Sequence, residues 1–326
     1  MRYRTLPGTD LQLSALVLGC WAIGGRWWGD DADDAAARDL VDFAWERGIT
    51  SFDTAPLYGH GHADALLRGA LGERRRDAVI ITKVGVRWDT PGGHPRSDLS
   101  PAHVVADAEA SLRRLGIERV PLLLTHWPCE AGTPIAATLE ALEGLRAAGK
   151  VAAYGLCNVG AAALAEARAL APIAALQTPY SMIRRDFEAD LQDSVGETDA
   201  GGRWRQGLGV LAYEPLARGL LSGKFPPAPA PRFPESDLRA RDPRFAEPVW
   251  SHLQPLVEAL RRVGARLGVP PAALALAWVL RQPGVSVALV GGKRREQLAE
   301  SLRALELVDR GKPFAALAPF IAQTRP

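Results

Sequence analysis

Four ionisable side chains in the first 126 residues have the types and spacing for proton-transfer chemistry. The stretch GITSFDTAPLYGHG, residues 48–61, is typical of a short apolar strand that ends at Asp53, followed by a loop that presents Tyr58. Lys83 ends the next apolar run, VIITK, and His126 ends the run after it, VPLLLTH. A phenol, with an ordinary pKa near about 10, donates its proton poorly at neutral pH unless a nearby cation lowers that value. The loop therefore needs a lysine, and we expect Asp53 to hold the ammonium of Lys83 in place.

The segments FDTAPLYG, TK and THWP together resemble the aldo-keto reductase family, whose working tetrad is Asp, Tyr, Lys and His. The resemblance implies that Tyr58 is the general acid and that Lys83 lowers its pKa. Asp53 then orients Lys83, and His126 orients the substrate carbonyl. The alternative is that these side chains are incidental loop and strand ends. That interpretation would be favoured for any one of them, but four in the right order favour the functional one.

The elements that must position these residues alternate regularly along the chain. Strand-like apolar runs cover residues 15–21, 49–53, 79–83, 120–126, 151–157, 173–177, 209–213 and 285–290. Stretches with helical spacing cover residues 35–47, 63–71, 101–115, 134–148, 161–170, 251–267, 271–281 and 294–305. Eight strands alternating with helices predict an α/β fold, a single (β/α)8 TIM barrel domain over residues 1–326. A short N-terminal β-hairpin is expected before the barrel, over residues 2–13.

Polar residues fall where a barrel of this kind places its chemistry, at the carboxyl ends of the strands. The residues at or just past predicted strand ends are Asp53, Lys83, His126, Asn158, Gln177 and Tyr213. A random scatter of polar residues would not produce this pattern, so the fold and the site predictions support each other.

Carbonyl reduction needs a hydride donor, and no side chain supplies hydride, so a nicotinamide cofactor is expected. No G-x-G-x-x-G follows a strand, which argues against a Rossmann site. The resemblance implies that Cys157, Asn158 and Gln177 hold the carboxamide and that the nicotinamide ring stacks on Tyr213. The implied positions along the pyrophosphate and adenosine are Leu216, Gly219, Lys224, Gly291, Gly292, Lys293, Arg294, Gln297, Glu300 and Ser301. Because Lys293 and Arg294 are expected to meet a 2′-phosphate, the implied cofactor is NADPH.

Several positions depart from the family's pattern. Cys157 replaces the usual serine and Ser301 replaces an asparagine. Glu214 stands where serine is common, and we expect it to bring a carboxylate toward the cofactor. Residues 196–206 contain several glycines and are expected to form an irregular exposed loop. Tryptophans near strand ends could be core residues, but at a barrel mouth we expect them to wall an apolar substrate pocket. These tryptophans are Trp21, Trp28, Trp88 and Trp127.

Composition narrows the possible partners. The formal net charge is only +2 and no long basic run occurs, so neither nucleic acid nor a membrane is an expected partner. Three scattered cysteines and the absence of a signal-peptide core predict a soluble, cytoplasmic protein. His60 and His62 lack a third ligand at fitting spacing, so no metal site is expected.

The sequence therefore predicts NADPH-dependent reduction of a small-molecule aldehyde or ketone to the alcohol. Two alternatives stay open. One is an enoyl or keto reductase of nucleoside-diphosphate sugars in a biosynthetic pathway, which resembles the same family. The other is a cofactor-sensing, non-catalytic barrel of the potassium-channel β-subunit type. The sequence does not identify the substrate.

Overall fold

The computed structural model describes residues 1–25, 27–28, 33–88, 94–198 and 204–324. Within these residues, parallel strands β1 to β8 close into a barrel, each paired with the next and β8 paired with β1. Their bounds are β1 Leu16–Gly19, β2 Ser51–Asp53, β3 Val79–Val84, β4 Val120–Thr125, β5 Val151–Cys157, β6 Ala175–Pro179, β7 Gly209–Tyr213 and β8 Val287–Gly291. The predicted (β/α)8 barrel is confirmed.

Helices surround the barrel and connect its strands. Their bounds are α1 Asp34–Glu46, α2 His62–Leu71, α3 Pro101–Leu115, α4 Ile135–Ala147, α5 Ala161–Leu170, α6 Asp186–Asp190, α7 Val249–Leu267, α8 Pro271–Arg281, α9 Arg295–Leu302 and α10 Lys312–Ala322. The short α6 and the C-terminal α10 were not predicted from the sequence. Gly116 ends α3 in the left-handed region, with φ 64°, where glycine has no Cβ penalty.

Side-chain alternation along the strands divides the core into two layers. In β1, Val17 points into the barrel, whereas Leu16 and Leu18 belong to the apolar layer between the strands and the helices. The predicted N-terminal hairpin pairs Tyr3–Thr5 with Gln12–Ser14 and is confirmed. It brings the fully buried Leu6 and Leu13 into the inner cluster. A filled interior leaves the carboxyl rim as the place where a ligand can enter.

Two loops contain short antiparallel pairs. Val86–Arg87 pairs with Arg96–Ser97 after β3. Gly196–Thr198 pairs with Trp204–Gln206 before β7, so the expectation of an irregular loop there was wrong. The intervening glycines, Gly201 and Gly202, lie outside the described residues. The two extended segments satisfy each other's backbone hydrogen bonds, which an irregular loop would leave to water.

The described helices contain none that alone has the length and apolarity to cross a membrane. Helices α7 and α8 meet that criterion only as a pair, which is bent by 100°.

Candidate active site

The four predicted catalytic residues meet at the carboxyl rim of the barrel. Asp53 is the last residue of β2, Lys83 lies near the end of β3, and His126 follows β4 directly. Lys83 is paired with Leu124 of β4, so these neighbouring strand ends share one edge. Tyr58 lies in the loop after β2, where its backbone N–H donates to Ala55 O at 3.0 Å. Strand pairing thus brings together residues that are up to 73 positions apart, from Asp53 to His126.

The ammonium of Lys83 is the centre of this cluster. Its Nζ donates to Asp53 Oδ1 at 2.7 Å, to Thr54 O at 3.0 Å and to Tyr58 Oη at 3.1 Å. The Lys83 side chain is 0% exposed and that of Asp53 is 2% exposed. Burial acts to lower the pKa of Lys83, but Asp53 and Tyr58 outweigh it and hold that pKa above its ordinary value. The lysine is therefore a permanently charged neighbour of the phenol.

Gln177 and Cys157 hold the second carboxylate oxygen of Asp53 in place. Gln177 Nε2 donates to Asp53 Oδ2 at 2.7 Å, and Cys157 Sγ donates to Gln177 Oε1 at 3.6 Å. Burial raises the pKa of Cys157 to about 12, so its thiol keeps the proton that this contact uses. Residues expected to face a carboxamide thus also orient Asp53.

Two opposing effects act on the pKa of Tyr58. Burial raises this pKa above its ordinary value, and Lys83 opposes the rise without cancelling it. Lys83 therefore acts on this pKa in the expected direction, and burial acts against it because only 8% of the Tyr58 surface is exposed. A protonated phenol next to a fixed cation is suited to donating its proton only when negative charge develops on a neighbouring oxygen.

His126 is a neutral imidazole beside the phenol. Its ring lies edge-on to Tyr58, with centroids 5.9 Å apart. Burial, and then the charge of Lys83, hold the pKa of His126 well below its ordinary value. Among the described residues its Nδ1 has no hydrogen-bond partner, although the atom is buried. A neutral ring can donate one hydrogen bond to a substrate oxygen.

The buried neutral state of His126 predicts how stability depends on pH. The unfolded chain takes up a proton below about pH 6.5, whereas the folded chain does not, so stability is complete above that pH and falls as the pH decreases toward the folded pKa. The limiting slope is about 1.4 kcal/mol per pH unit. In chemical unfolding between about pH 7 and pH 5, the contribution of His126 should bring the wild-type slope toward this limit as the pH falls, and the slope should be smaller in His126→Gln. Equal slopes in the two proteins would contradict the assignment.

A cavity of about 970 Å³ opens above the cluster. At one end Trp21 stacks on Tyr58, with centroids 5.9 Å apart, and Trp28 lies edge-on to Trp21 at 5.5 Å. Trp127 lines the same end. These three tryptophans lie where the sequence placed a substrate pocket.

Trp88, which was also expected at the mouth of the barrel, lies beside His60 instead of with the other three tryptophans. Its ring is edge-on to His60, with centroids 4.3 Å apart, and it does not line the cavity in the described part of the chain. The pairing of Val86–Arg87 with Arg96–Ser97 holds this segment in a local hairpin beside the Tyr58 loop.

Cationic side chains gather at the other end of the cavity. They are Lys224, Arg239, Lys293 and Arg294. Burial lowers the pKa of Lys224, and the charges of Arg239, Arg294 and Lys293 lower it further. Lys293 Nζ donates to Trp28 O at 2.6 Å, which connects this end to the loop after β1. The concentration of positive charge favours an anionic ligand group here.

The loop after β7 has unusual backbone geometry along the cavity wall. Ala217, Arg218 and Gly219 are consecutive residues with positive φ, of 48°, 56° and 90°. Arg218 is held by Glu214 at 2.9 Å and by Asp242 at 3.2 Å. Such strain persists only when surrounding contacts impose it, and ion pairs on the arginine supply that constraint.

Glu214 was expected to bring a carboxylate toward the cofactor. Instead its oxygens are paired with Arg218 at 2.9 Å and with Arg244 at 3.0 Å. Arg244 is also bound to Asp242 at 2.6 Å. Glu214 therefore brings little unpaired negative charge to the cavity, because two arginines neutralise it.

The start of α9 is stabilised by Gln297. Its Oε1 accepts from Lys293 N at 2.8 Å and from Arg294 N at 3.3 Å. Ser301 Oγ donates to Gln297 O at 2.9 Å within the helix. Gly291, Gly292, Glu300 and the residues just named line the cavity, as do Leu216 and Gly219 on the facing loop.

Asn158 and Tyr213 form the wall between the two ends. Tyr213 Oη donates to Asn158 Oδ1 at 2.8 Å, and Asn158 Nδ2 donates to His126 O at 3.0 Å. Asn158 has φ 61°, a left-handed conformation that asparagine tolerates better than most residues. Both side chains line the cavity. Together with the residues described above, this means that all the residues predicted to bind the cofactor line the cavity.

Sequence reasoning missed the contact between the loop after β1 and the loop before α7, which meet beside the cavity. Trp28 forms an antiparallel bridge with Asp237, and Arg239 lies over the Trp28 ring at 5.6 Å. Arg239 also pairs with Asp237 at 2.5 Å. The available signal was the Arg-rich loop before α7, but no spacing rule relates it to a tryptophan more than 200 residues away.

A protonated phenol set against a buried lysine, at the rim of a barrel whose cavity ends in cations, is an arrangement suited to a barrel oxidoreductase. The model of the Aldo/keto reductase family matches residues 15–317, and the chain belongs to that family. Members of this family use nicotinamide cofactors.

Individual relatives are similar over nearly their full length. The aldo-keto reductase YhdN of Bacillus subtilis is 33% identical over 301 residues, covering 91% of this chain and 87% of the relative. The NADH-specific methylglyoxal reductase of Escherichia coli is 31% identical over 319 residues, covering 94% of each. The structure of a glycerol dehydrogenase from Gluconobacter oxydans superposes with a TM-score of 0.85 at 31% identity, covering 99% of this chain and 97% of that one.

Proposed function

We propose that this protein reduces an aldehyde or ketone to the alcohol with NADPH as the hydride source. The observation that carries the proposal is Lys83, buried and bound to both Asp53 and Tyr58 beneath the cavity. A buried, charge-paired lysine next to a phenol is costly to maintain, and proton donation at this position accounts for it.

Tyr58 donates its proton to the carbonyl oxygen as that oxygen becomes an alkoxide. Lys83 stabilises the phenolate that is left, and Asp53 keeps the ammonium in place. His126 donates a hydrogen bond to the same oxygen, because a neutral imidazole retains an N–H while adding no charge. The nicotinamide, when bound, supplies the hydride.

The residues fit such a cofactor because the cavity extends from the catalytic cluster to the cations described above. Gln177, Asn158 and Cys157 would hold the carboxamide, and Tyr213 would stack on the ring. The loop after β7, with Leu216, Gly219 and Lys224, would follow the pyrophosphate. The start of α9 would hold the adenosine half through Gly291, Gly292, Lys293, Arg294, Gln297, Glu300 and Ser301.

The substrate end is enclosed by indole rings. Trp21, Trp28 and Trp127 surround the space above Tyr58 and favour a substrate with an apolar or flat portion beside its carbonyl. We also propose a single domain over residues 1–326 and a cytoplasmic location, which the three free cysteines support.

The function is tested by screening aldehydes, ketones and keto-sugars for oxidation of NADPH, with identification of the alcohol. Turnover only of nucleoside-diphosphate keto-sugars would favour the sugar-reductase alternative. Tight cofactor binding without turnover of any carbonyl would favour a cofactor-sensing protein.

Preference for NADPH over NADH is the finer part of the proposal. One relative is named as NADH-specific, so family membership does not decide between the cofactors. Lys293 and Arg294 supply positive charge where the 2′-phosphate, the main difference between the two cofactors, would lie. Each charge-assisted hydrogen bond of roughly 1.5 to 3 kcal/mol gives on the order of tenfold to a few hundredfold selection. Because this end of the cavity is open to solvent, we expect the selection for NADPH to be about tenfold per hydrogen bond, at the lower end of that range.

Titration of both cofactors by quenching of tryptophan fluorescence tests this preference. The Lys293→Ala, Arg294→Ala double variant should bind both cofactors with similar Kd. Arg295→Ala is the matched control, because Arg295 is the next residue but pairs with Asp39 at 3.1 Å and does not line the cavity. Equal wild-type Kd values, or a double variant that still strongly prefers NADPH, would exclude these residues from the phosphate site.

A further inference from the structure

The peptide carbonyl of Thr54 is one of three groups that fix the ammonium of Lys83. An ammonium has three N–H donors, and here they reach Asp53 Oδ1, Tyr58 Oη and Thr54 O. The contact with Tyr58 is the longest of the three, at 3.1 Å against 2.7 Å for Asp53. A shift of the Thr54 peptide would therefore change the Lys83–Tyr58 contact first.

Thr54 is itself held from both sides. Its backbone N–H donates to Ile81 O at 2.8 Å, which anchors it to β3. Its hydroxyl donates to Asp64 Oδ1 at 2.7 Å, inside the protein, where both Thr54 and Asp64 are 0% exposed. Asp64 lies in the first turn of α2, just beyond the loop that carries Tyr58. The Thr54–Asp64 hydrogen bond therefore closes that loop at its base.

Arg114 of α3 completes the arrangement. Its Nε donates to Asp64 Oδ2 at 3.0 Å, and its terminal nitrogen donates to Ser111 Oγ at 2.9 Å. The arginine also packs on Gly61, whose φ is 86° and where an added Cβ would lie 2.7 Å from Arg114 Cδ. Both Asp64 oxygens are thus occupied, and the helix side of the loop is braced by an ion pair between the buried Asp64 and the partly exposed Arg114.

We propose that Thr54, Asp64 and Arg114 form a positioning unit that holds the Lys83 ammonium against the hydroxyl of Tyr58. The inference rests on the proposed role of Tyr58 as proton donor. None of the three residues lines the cavity, so they act through Lys83 and not on the substrate. Misplacement of a catalytic group by about 1 Å can cost on the order of 100-fold in rate, and a smaller displacement here predicts roughly tenfold.

The test compares Thr54→Val, which keeps the side-chain shape and removes the hydroxyl, with Thr54→Ser, which keeps the hydroxyl. Thr54→Val should lower kcat roughly tenfold with little change in KM. Lys83 lowers the pKa of Tyr58, so moving the ammonium away from the phenol should raise that pKa. The pH profile of alcohol oxidation, which needs the phenolate, should then move to higher pH. Thr54→Ser should restore both properties. Thr138→Val is the matched control, because Thr138 is a buried threonine whose hydroxyl donates to Leu99 O at 2.9 Å, outside the cluster.

A readout independent of activity separates this inference from the proposed function. In cofactor-free protein containing tyrosine labelled with carbon-13 at Cζ, the Tyr58 resonance, assigned with Tyr58→Phe, should shift in Thr54→Val and not in Thr54→Ser or Thr138→Val. If Thr54→Val does not fold, Asp64→Asn should show the same shift to a smaller extent, since it keeps an acceptor but loses the charge.

A Thr54→Val protein with a wild-type resonance and pH profile would overturn the inference, even if its kcat is reduced. Equal effects of Thr54→Val and Thr54→Ser would overturn it as well. A wild-type protein that reduces no carbonyl would instead contradict the proposed function, whereas the resonance shift would still report on the positioning unit.

Discussion

Replacing Tyr58 with phenylalanine is expected to lower kcat by roughly 10² to 10⁴ while leaving the Kd for NADPH nearly unchanged. The hydroxyl donates its proton only as the alkoxide forms, so its loss removes stabilisation of the transition state and not of the bound cofactor. The ring would still stack on Trp21, and the cavity would keep its shape. Steady-state rates on an active carbonyl, together with cofactor titration by fluorescence, measure the two quantities separately.

Tyr154→Phe provides a matched control for this experiment. Tyr154 is also a buried tyrosine, but its hydroxyl donates to Glu143 at 2.9 Å on the outside of the barrel. That variant should keep its kcat. A Tyr58→Phe protein with more than half of the wild-type kcat would show that another group donates the proton.

Replacing Lys83 with methionine is expected to affect stability as well as turnover. The change leaves Asp53 buried at 2% exposure without its cation, and breaking a buried pair in this way costs about 3–5 kcal/mol. Turnover should fall at least as far as in Tyr58→Phe, because the phenolate then has no adjacent positive charge. Chemical unfolding and steady-state kinetics of the same preparation measure both effects.

The Asp53→Asn, Lys83→Met double variant separates the two consequences. Removing the carboxylate charge should recover most of the lost stability, because no unpaired ion stays buried, but it should not recover activity. Equal stability of the single and double variants would mean that Asp53 is not left as a buried charge by the loss of Lys83.

The barrel and the meeting of the four ionisable side chains at its rim could be predicted from the sequence because both follow from local patterns. The alternation of apolar runs sets the strand order, and the strand order brings Asp53, Lys83 and His126 to one rim. The predicted bounds of α3, α5 and α8 agree with the structure, and each begins after a clear break in the pattern.

The features of the site that the sequence did not predict depend on packing between distant segments. The net rise in the pKa of Tyr58 comes from burial by neighbours that no spacing rule supplies. The Trp28–Asp237 bridge and the ion pairs of Glu214 likewise join segments whose pairing is decided in three dimensions. The contact of Trp88 with His60 is likewise a matter of packing between loops that no spacing rule supplies.

Hydride transfer itself is the most direct test of the proposed function. Wild-type protein would be incubated with a carbonyl compound and NADPH that carries deuterium at the transferable C4 position. We predict that the alcohol forms in proportion to the NADPH consumed, carries one deuterium on its carbinol carbon, and is not formed by Tyr58→Phe at a comparable rate. Consumption of NADPH without deuterium in an alcohol, or binding of NADPH without consumption across the whole panel of carbonyl compounds, would contradict it.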